Sequence, residues 1–168
     1  MTKDIKFLIG AFLVSILVII GVAFLLSKNS QSQAETPTED ISGLTVSPES
    51  YELGDVAING GIVSKDYEVE NSTSGKLTLK KIATSCMCTT ASIQIGDKTT
   101  KFFGMEGHGD ANPPVNLEIP AGQTAKVMVK FDPAAHGPEG VGPFDRIVWL
   151  YFAQGTKELT FNGVVVAQ

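Results

Sequence analysis

Two cysteines in the segment "IATSCMCTTASI" are the residues with the clearest chemical potential. Cys86 and Cys88 are the only cysteines of the chain, and Met87 separates them. Thiolates are nucleophiles and soft metal ligands, so the pair suggests metal or thiol chemistry. In an extended strand, side chains two residues apart leave the same face, too far apart for the short Cβ–Cβ distance of a disulfide. This spacing favours a shared metal ion, and a disulfide would require a local turn.

Further metal-ligand types lie in two glycine-rich segments. "GMEGHGDANPP" contains Met105 and His108, and "DPAAHGPEGVGP" contains His136. Thiolate and thioether donors favour copper(I), and imidazole also suits zinc. A zinc ribbon has two residues between its paired cysteines, and a blue-copper loop has a Cys–His–Met order that is not found here. We therefore predict a metal site of Cys86, Cys88, Met105, His108 and His136, with copper(I) before zinc.

Other interpretations of these residues stay open. The cysteines could form a thiol-redox pair or a stabilising bridge, or they could be packing residues, because free cysteine is often buried. The histidines could be ordinary loop residues bonded to the backbone. The sequence has no Gly-x-Ser-x-Gly, His-Glu-x-x-His or phosphate-binding glycine motif. We expect a non-enzymatic binding module, with a protein-interaction scaffold and a thiol-redox protein as alternatives.

The elements around these residues have the pattern of β-strands. Apolar side chains alternate with polar ones in several short segments, and residues such as "NSTSG" and "PAG" separate them. "NST" at Asn71 matches the glycosylation pattern and is interpreted as a turn. The alternating positions are Tyr67, Val69, Leu77, Leu79, Ala91, Ile93, Ile95, Ala125, Val127, Val129 and Phe131. About eight such strands predict an all-β, immunoglobulin-like β-sandwich over residues 44–168.

The segment "RIVWLYF" is apolar on both faces. Ile147, Trp149 and Tyr151 alternate with Val148, Leu150 and Phe152. A sandwich strand normally buries only one face, so the other must be covered by a loop or form a docking patch. We favour cover by "GMEGHGDANPP", and we expect any protein partner at a sheet edge or at an apolar patch.

The N-terminal segment predicts membrane attachment. Residues 7–26 carry no charge and are long enough to cross the lipid bilayer as a helix. Lys3 and Lys6 precede this run, which orients the N-terminus toward the cytoplasm. We therefore predict a transmembrane signal anchor at 1–28, a polar linker at 29–43 and an extracytoplasmic domain at 44–168 of a single-pass cell-membrane protein. A cleaved signal peptide, with a site at 32–34, is the alternative.

The charge of the chain excludes one class of partner. The net charge is −5 and the isoelectric point is about 5.0, so there is no basic surface for nucleic acid. The expected extracytoplasmic space is oxidising, which is compatible with a disulfide.

Several segments resemble a bacterial family called domain of unknown function 1573. They are "YELGDV", "EVENSTSGKLTLKKI", "TSCMCTT" and "IPAGQTAKVMVKFDP". Members of the family are immunoglobulin-type sandwiches related to the major sperm protein and to the ASH and hydin domains. The family motif reads Ser-Cys-Gly-Cys-Thr. Ser85, Cys86, Cys88 and Thr89 match it, and Met87 replaces the glycine. The resemblance implies the fold and an extracytoplasmic setting, and it leaves the activity open.

Overall fold

The computed structural model describes residues 40–108 and 112–167. The predicted anchor at 1–28, and the linker up to residue 39, lie outside these ranges. Within them, no helix is long and apolar enough to cross a membrane.

Ten strands and one short 3₁₀ helix, Gly137–Gly140, make up the described chain. The strands are β1 (Leu44–Ser47), β2 (Ser50–Ala57), β3 (Val63–Asn71), β4 (Leu77–Thr84), β5 (Thr89–Ile95), β6 (Lys98–Thr99), β7 (Leu117–Ile119), β8 (Thr124–Phe131), β9 (Gly142–Phe152) and β10 (Gly155–Val166). Two of them, β6 and β7, have two and three residues, which is too short for a visible alternation of side chains.

The strands form two five-stranded sheets that face each other. The first sheet has the order β1-β3-β8-β5-β6, and the second has the order β2-β10-β9-β4-β7. Neighbouring strands are antiparallel except β2 and β10, which are parallel. The predicted all-β, immunoglobulin-like sandwich is confirmed.

The side chains that form the core are among those that the alternation in the sequence predicted to face inward. Tyr67, Val69, Leu79, Ile93 and Val127 are completely buried between the sheets. Removing an aliphatic side chain of this size from water contributes about 1.5–3 kcal/mol, so period-two burial is the main force that holds the two sheets together.

The second face of "RIVWLYF" is partly covered by a loop. Val148, Leu150 and Phe152 are buried, whereas Ile147, Trp149 and Tyr151 on the other face are half-buried. Glu106, in the glycine-rich loop, pairs with Lys81 at 2.7 Å, and the Lys81 ammonium lies 5.0 Å from the centre of the Tyr151 ring. The Lys81 ammonium therefore lies over the Tyr151 end of this face, and the loop is connected to the face through that lysine.

Asn71 connects three segments at one end of the sandwich. Its side chain is completely buried, and its Nδ2 donates to the carbonyl oxygens of Gly75 and Ile119, each at 2.8 Å. Its Oδ1 accepts from the backbone N–H and the hydroxyl of Thr73, at 3.1 and 2.7 Å. The interpretation of "NST" as a turn is confirmed, because this amide is enclosed and fully hydrogen-bonded.

Two tyrosines join the sheets by reciprocal hydrogen bonds. The hydroxyl of Tyr67, on β3, donates to the carbonyl oxygen of Thr160 on β10 at 2.6 Å. The hydroxyl of Tyr51, on β2, donates to the carbonyl oxygen of Asp66 on β3 at 2.7 Å. Their rings meet edge to face with centroids 5.0 Å apart. Burial, and to a lesser extent the neighbouring Tyr51, raises the pKa of the Tyr67 phenol above its usual value.

Tyr67→Phe should lower the free energy of unfolding by about 1 kcal/mol near neutral pH, because the Thr160 carbonyl loses its donor. Above a pH of about 10 the unfolded wild type loses the Tyr67 proton while the folded protein keeps it, so wild-type stability falls as pH rises. The phenylalanine variant lacks this loss. The difference in free energy of unfolding between the two proteins, which we call the gap, should therefore narrow as pH rises. Urea unfolding at a series of pH values measures the gap. A constant gap would contradict the buried phenol.

Candidate functional site

The turn between β4 and β5 carries the chain from the second sheet to the first. The backbone N–H of Thr89 donates to the carbonyl oxygen of Cys86 at 3.1 Å, which closes the turn. The Ser85 N–H donates to the Ile147 carbonyl oxygen, and the Ile147 N–H donates to Ser85 Oγ, both at 2.9 Å. Residues 85–88 therefore lie in a turn that is fixed to β9, and not in an extended strand.

This turn overturns the geometric expectation for the two sulfurs. Cys86 and Cys88 form a disulfide, with Cα atoms 5.2 Å apart. The expectation that this spacing favours a shared metal ion over a disulfide assumed an extended backbone, and the local turn that a disulfide requires is present instead. Both cysteines are buried, with 7% and 3% of their surface exposed, whereas Met87 between them is 52% exposed. The bridge therefore faces inward and the methionine projects from the end of the sandwich.

A nitrogen-bearing side chain lies against each sulfur. His136 Nε2 is 3.1 Å from Cys86 Sγ. Arg146 Nε donates to Cys88 Sγ at 3.2 Å. His136 immediately precedes the 3₁₀ helix in the β8–β9 connection, and Arg146 lies in β9. Residues that are far apart along the chain thus enclose the disulfide from two sides.

Arg146 provides a partly buried positive charge. Burial lowers the pKa of its guanidinium from the usual value, and the neighbouring Asp145 carboxylate opposes this shift. Arginine titrates so far above neutrality that it stays charged under physiological conditions. A cation beside a sulfur stabilises the thiolate, so the structure favours negative charge on Cys88 whenever the disulfide opens.

The sequence analysis did not identify Arg146, although a signal was present. Arg146 is the only arginine among the thirteen basic residues of the chain. The guanidinium of arginine is a rigid, weakly hydrated donor group that suits a partly buried contact. The ammonium of lysine is strongly hydrated and suits such a contact less well. A single arginine at the start of an apolar strand was therefore a candidate for a specific contact.

Backbone hydrogen bonds hold the residues around the disulfide. The buried Thr84 hydroxyl lies 3.0 Å from the carbonyl oxygens of both Cys86 and Thr89 and shares its proton between them. The Cys88 carbonyl oxygen accepts from the Asp132 N–H at 2.8 Å. Asp132 Oδ1 then accepts from the Ala134 N–H at 2.9 Å, two residues before His136. The same network therefore orients the turn and the loop that carries the histidine.

Three of the five predicted metal ligands come together. The ligand atoms of Cys86, Cys88 and His136 lie within 4.8 Å of one another, and His108 is not in this group. His108 is exposed, its Nδ1 lies 3.3 Å from the Glu106 carbonyl oxygen, and its N–H donates to the Met105 carbonyl oxygen at 3.4 Å. This arrangement is the ordinary loop histidine of the alternative interpretation. The thiolates that a metal requires would form only on reduction of the disulfide.

The size of the disulfide loop limits its structural value. A cross-link stabilises a fold mainly by reducing the entropy of the unfolded chain, and this effect grows with loop length. Cys86 and Cys88 are two positions apart, so the bridge closes a loop of three residues. The chain-entropy relation then gives about 1.6 kcal/mol, compared with about 3 kcal/mol for a 15-residue loop. The small gain in stability therefore does not by itself explain why the chain has this disulfide.

Comparisons with known proteins show the fold alone. No protein-family model and no curated protein matches the chain. A protein of unknown function from Porphyromonas gingivalis W83 has a TM-score of 0.52 at 16% identity, over 81% of this chain and 51% of that one. The chain therefore spans about half the length of that structure. The ASH/PapD-like domain 7 of human CEP192 gives a TM-score of 0.45 at 14% identity, over 83% and 97% of the two chains.

Reduction of the disulfide should cost little stability. We expect the free energy of unfolding to fall by about 1–2 kcal/mol, because the closed loop is so short. Denaturant unfolding of the oxidised and the reduced protein measures this difference, and intact mass after alkylation confirms the redox state. The Cys86→Ser/Cys88→Ser variant serves as a control and should be insensitive to reductant. A loss of about 4 kcal/mol or more would make the bridge a structural one.

Proposed function

We propose that the protein is a membrane-anchored, extracytoplasmic module whose Cys86–Cys88 pair cycles between disulfide and dithiol. The observation that carries this proposal is a short-loop disulfide held between Arg146 Nε and His136 Nε2, at 3.2 and 3.1 Å. The apolar run at 7–26 supports the anchor. The protein acts as a stoichiometric carrier of electrons for thiols of a partner, and not as an enzyme.

The two sulfurs have different roles in the exchange. A partner thiolate attacks Cys86 Sγ, because Arg146 is placed to stabilise Cys88 as the leaving thiolate and the exposed His136 lies beside Cys86. The new bond joins the partner sulfur to Cys86, the Cys86–Cys88 bond breaks, and its electron pair stays on Cys88. Arg146 stabilises that Cys88 thiolate, which makes it the better leaving group.

A second step completes the transfer of two electrons. Another thiolate of the partner attacks the partner sulfur in the mixed disulfide, and Cys86 leaves with the bonding electrons. His136 Nε2 lies 3.1 Å from Cys86 Sγ, where an N–H of the ring can donate to the departing thiolate. The partner dithiol is thereby oxidised to a disulfide, and Cys86–Cys88 is reduced to a dithiol.

The same proposal assigns the chain to the family called domain of unknown function 1573. The support is the motif at Ser85–Thr89, in which four of the five positions match. Ser85 bonds to Ile147, and Thr89 closes the turn through Cys86, so the matching positions have local roles. Met87 is exposed, which is why a methionine can occupy the glycine position of the family motif without a clash.

Removal of the Arg146 charge should slow the exchange. We expect Arg146→Gln to lower the second-order rate constant with a small thiol by about three- to tenfold, because the leaving thiolate loses its cation. Arg146→Lys keeps the charge and should recover part of the rate. Stopped-flow measurement on the oxidised protein gives the constants. Lys98→Gln, which removes an exposed cation on β6, is the matched control. An unchanged rate for Arg146→Gln would contradict the proposed role.

The reduced pair also has the donor set of a copper(I) site. Cys86, Cys88 and His136 hold their ligand atoms within 4.8 Å, and two thiolates with one imidazole favour this soft ion. Zinc sites usually have four ligands, so this set suits zinc less well. Arg146 offsets the negative charge of two thiolates around a monovalent ion. Copper(I) binding by the reduced form is therefore the second candidate function.

Copper(I) binding should depend on the redox state. We expect the reduced protein to take up about one equivalent, and the oxidised protein none, because thiolates are the ligands. His136→Ala should weaken binding by about tenfold or more, and His108→Ala should leave it unchanged. Competition with a chromophoric copper(I) chelator measures the affinity. Equal binding by the Cys86→Ser/Cys88→Ser variant would exclude the site.

A further inference from the structure

The side chain of Thr89 lies inside the core beside the disulfide. Thr89 is the first residue of β5, and it is completely buried. Its hydroxyl lies 3.6 Å from Cys88 Sγ, which is the partner that the described part of the chain gives it. Thr89 pairs with Phe131 of β8, which is also buried, so both side chains face the other sheet. This inward hydroxyl therefore has a sulfur atom as its neighbour.

A nearby threonine shows how the core accommodates a hydroxyl elsewhere. Thr84 is also buried, and its hydroxyl lies 3.0 Å from two carbonyl oxygens. Carbonyl oxygens are strong acceptors, whereas the sulfur of a cysteine is a weak one. A buried hydroxyl costs free energy unless it has a good hydrogen bond. In the oxidised protein this cost is therefore offset at Thr84 and poorly offset at Thr89.

The turn at 85–88 does not explain why residue 89 is a threonine. The bond that closes the turn comes from the backbone N–H of Thr89, which any residue except proline could supply. Valine has nearly the same shape as threonine, suits a strand as well and has no hydroxyl to bury. Valine would therefore meet the needs of packing at this position, and the hydroxyl requires another reason.

We propose that the Thr89 hydroxyl donates to the Cys88 thiolate when the disulfide opens. This inference rests on the proposed exchange function and adds a residue that determines how easily the bond is reduced. The partner thiolate forms its bond with Cys86 Sγ, the Cys86–Cys88 bond breaks, and the electron pair stays on Cys88. Thr89 keeps its proton and donates a hydrogen bond to the negative sulfur, so this step requires no proton transfer.

Reduction turns a weak contact of the hydroxyl into a strong one. A hydrogen bond to a charged acceptor is shorter and about twice as strong as one between neutral groups. Arg146 Nε approaches Cys88 Sγ from β9, and Thr89 approaches it from β5, so the buried thiolate has two donors. Cys86 Sγ accepts instead from the Cys88 N–H at 3.1 Å and lies beside His136. The hydroxyl therefore favours Cys88 as the sulfur that leaves and makes the disulfide easier to reduce.

The test measures the reduction equilibrium of the full-length protein in detergent against mixtures of reduced and oxidised glutathione. Thr89→Val removes the hydroxyl and keeps the shape of the side chain. We expect it to lower the equilibrium constant for reduction about tenfold, which corresponds to about 30 mV for a two-electron couple. Alkylation followed by intact-mass measurement gives the reduced fraction.

Further variants separate the hydroxyl from packing. Thr89→Ser restores a hydroxyl and should recover most of the wild-type equilibrium constant. Thr89→Ala leaves a cavity, but it should shift the constant as far as Thr89→Val does, because both variants lack the donor. Thr90→Val is the matched control and should leave the constant unchanged, because the half-buried Thr90 side chain lies on the opposite face of β5.

The stability of the oxidised protein gives an independent measurement. We expect oxidised Thr89→Val to unfold at the urea concentration of the wild type or at a higher one, because the hydroxyl has only a weak acceptor in this state. A clearly lower concentration would show that the hydroxyl stabilises the oxidised fold, and this result would contradict the proposed role.

The outcomes separate this inference from the function on which it rests. An equilibrium constant that Thr89→Val leaves unchanged, or that Thr89→Ser does not restore, would overturn the role of Thr89 and leave the exchange function in place. A wild-type disulfide that glutathione does not reduce would overturn both proposals.

Discussion

The crossing from β4 to β5 sets the geometry of the whole site. Four residues, 85–88, carry the backbone from one sheet to the other, so every polar group in the turn needs a partner at the end of the core. Ser85 bonds to β9, the Cys88 carbonyl bonds to the β8–β9 loop, and the Thr84 hydroxyl serves two carbonyls from within the core. The same bonds that complete the turn orient both sulfurs and the loop that carries His136.

The two ends of the sandwich differ in a way that fits an exchange module. At one end Asn71 is enclosed and bonds to Thr73 and Gly75 of the following turn and to Ile119 of β7. At the other end the exposed Met87 lies between two buried cysteines, whose bridge closes a loop of only three residues. The buried core and the Asn71 network hold the fold, and the disulfide end carries the exchange that we propose.

The charges around the disulfide give the sulfurs unequal chemistry. Arg146 is partly buried and donates to Cys88, whereas His136 is exposed and approaches Cys86. A fixed cation lowers the energy of the Cys88 thiolate, whereas an imidazole nitrogen lies beside Cys86 Sγ. The two sulfurs therefore have different neighbours before any partner arrives. Reduction of the pair would give two thiolates beside the His136 imidazole, and this donor set is the basis of our proposal of copper(I) binding.

The local pattern of residues was enough to predict which faces of the strands are buried. Tyr67, Val69 and Val127 alternate with polar neighbours, and alternation is a property of the extended backbone that holds without knowledge of the fold. The site required the folded chain. The turn at 85–88 reversed the expected sulfur geometry, and contacts across 50 and 58 residues brought His136 and Arg146 to the sulfurs. No local pattern encodes such distances, because they depend on how two sheets meet.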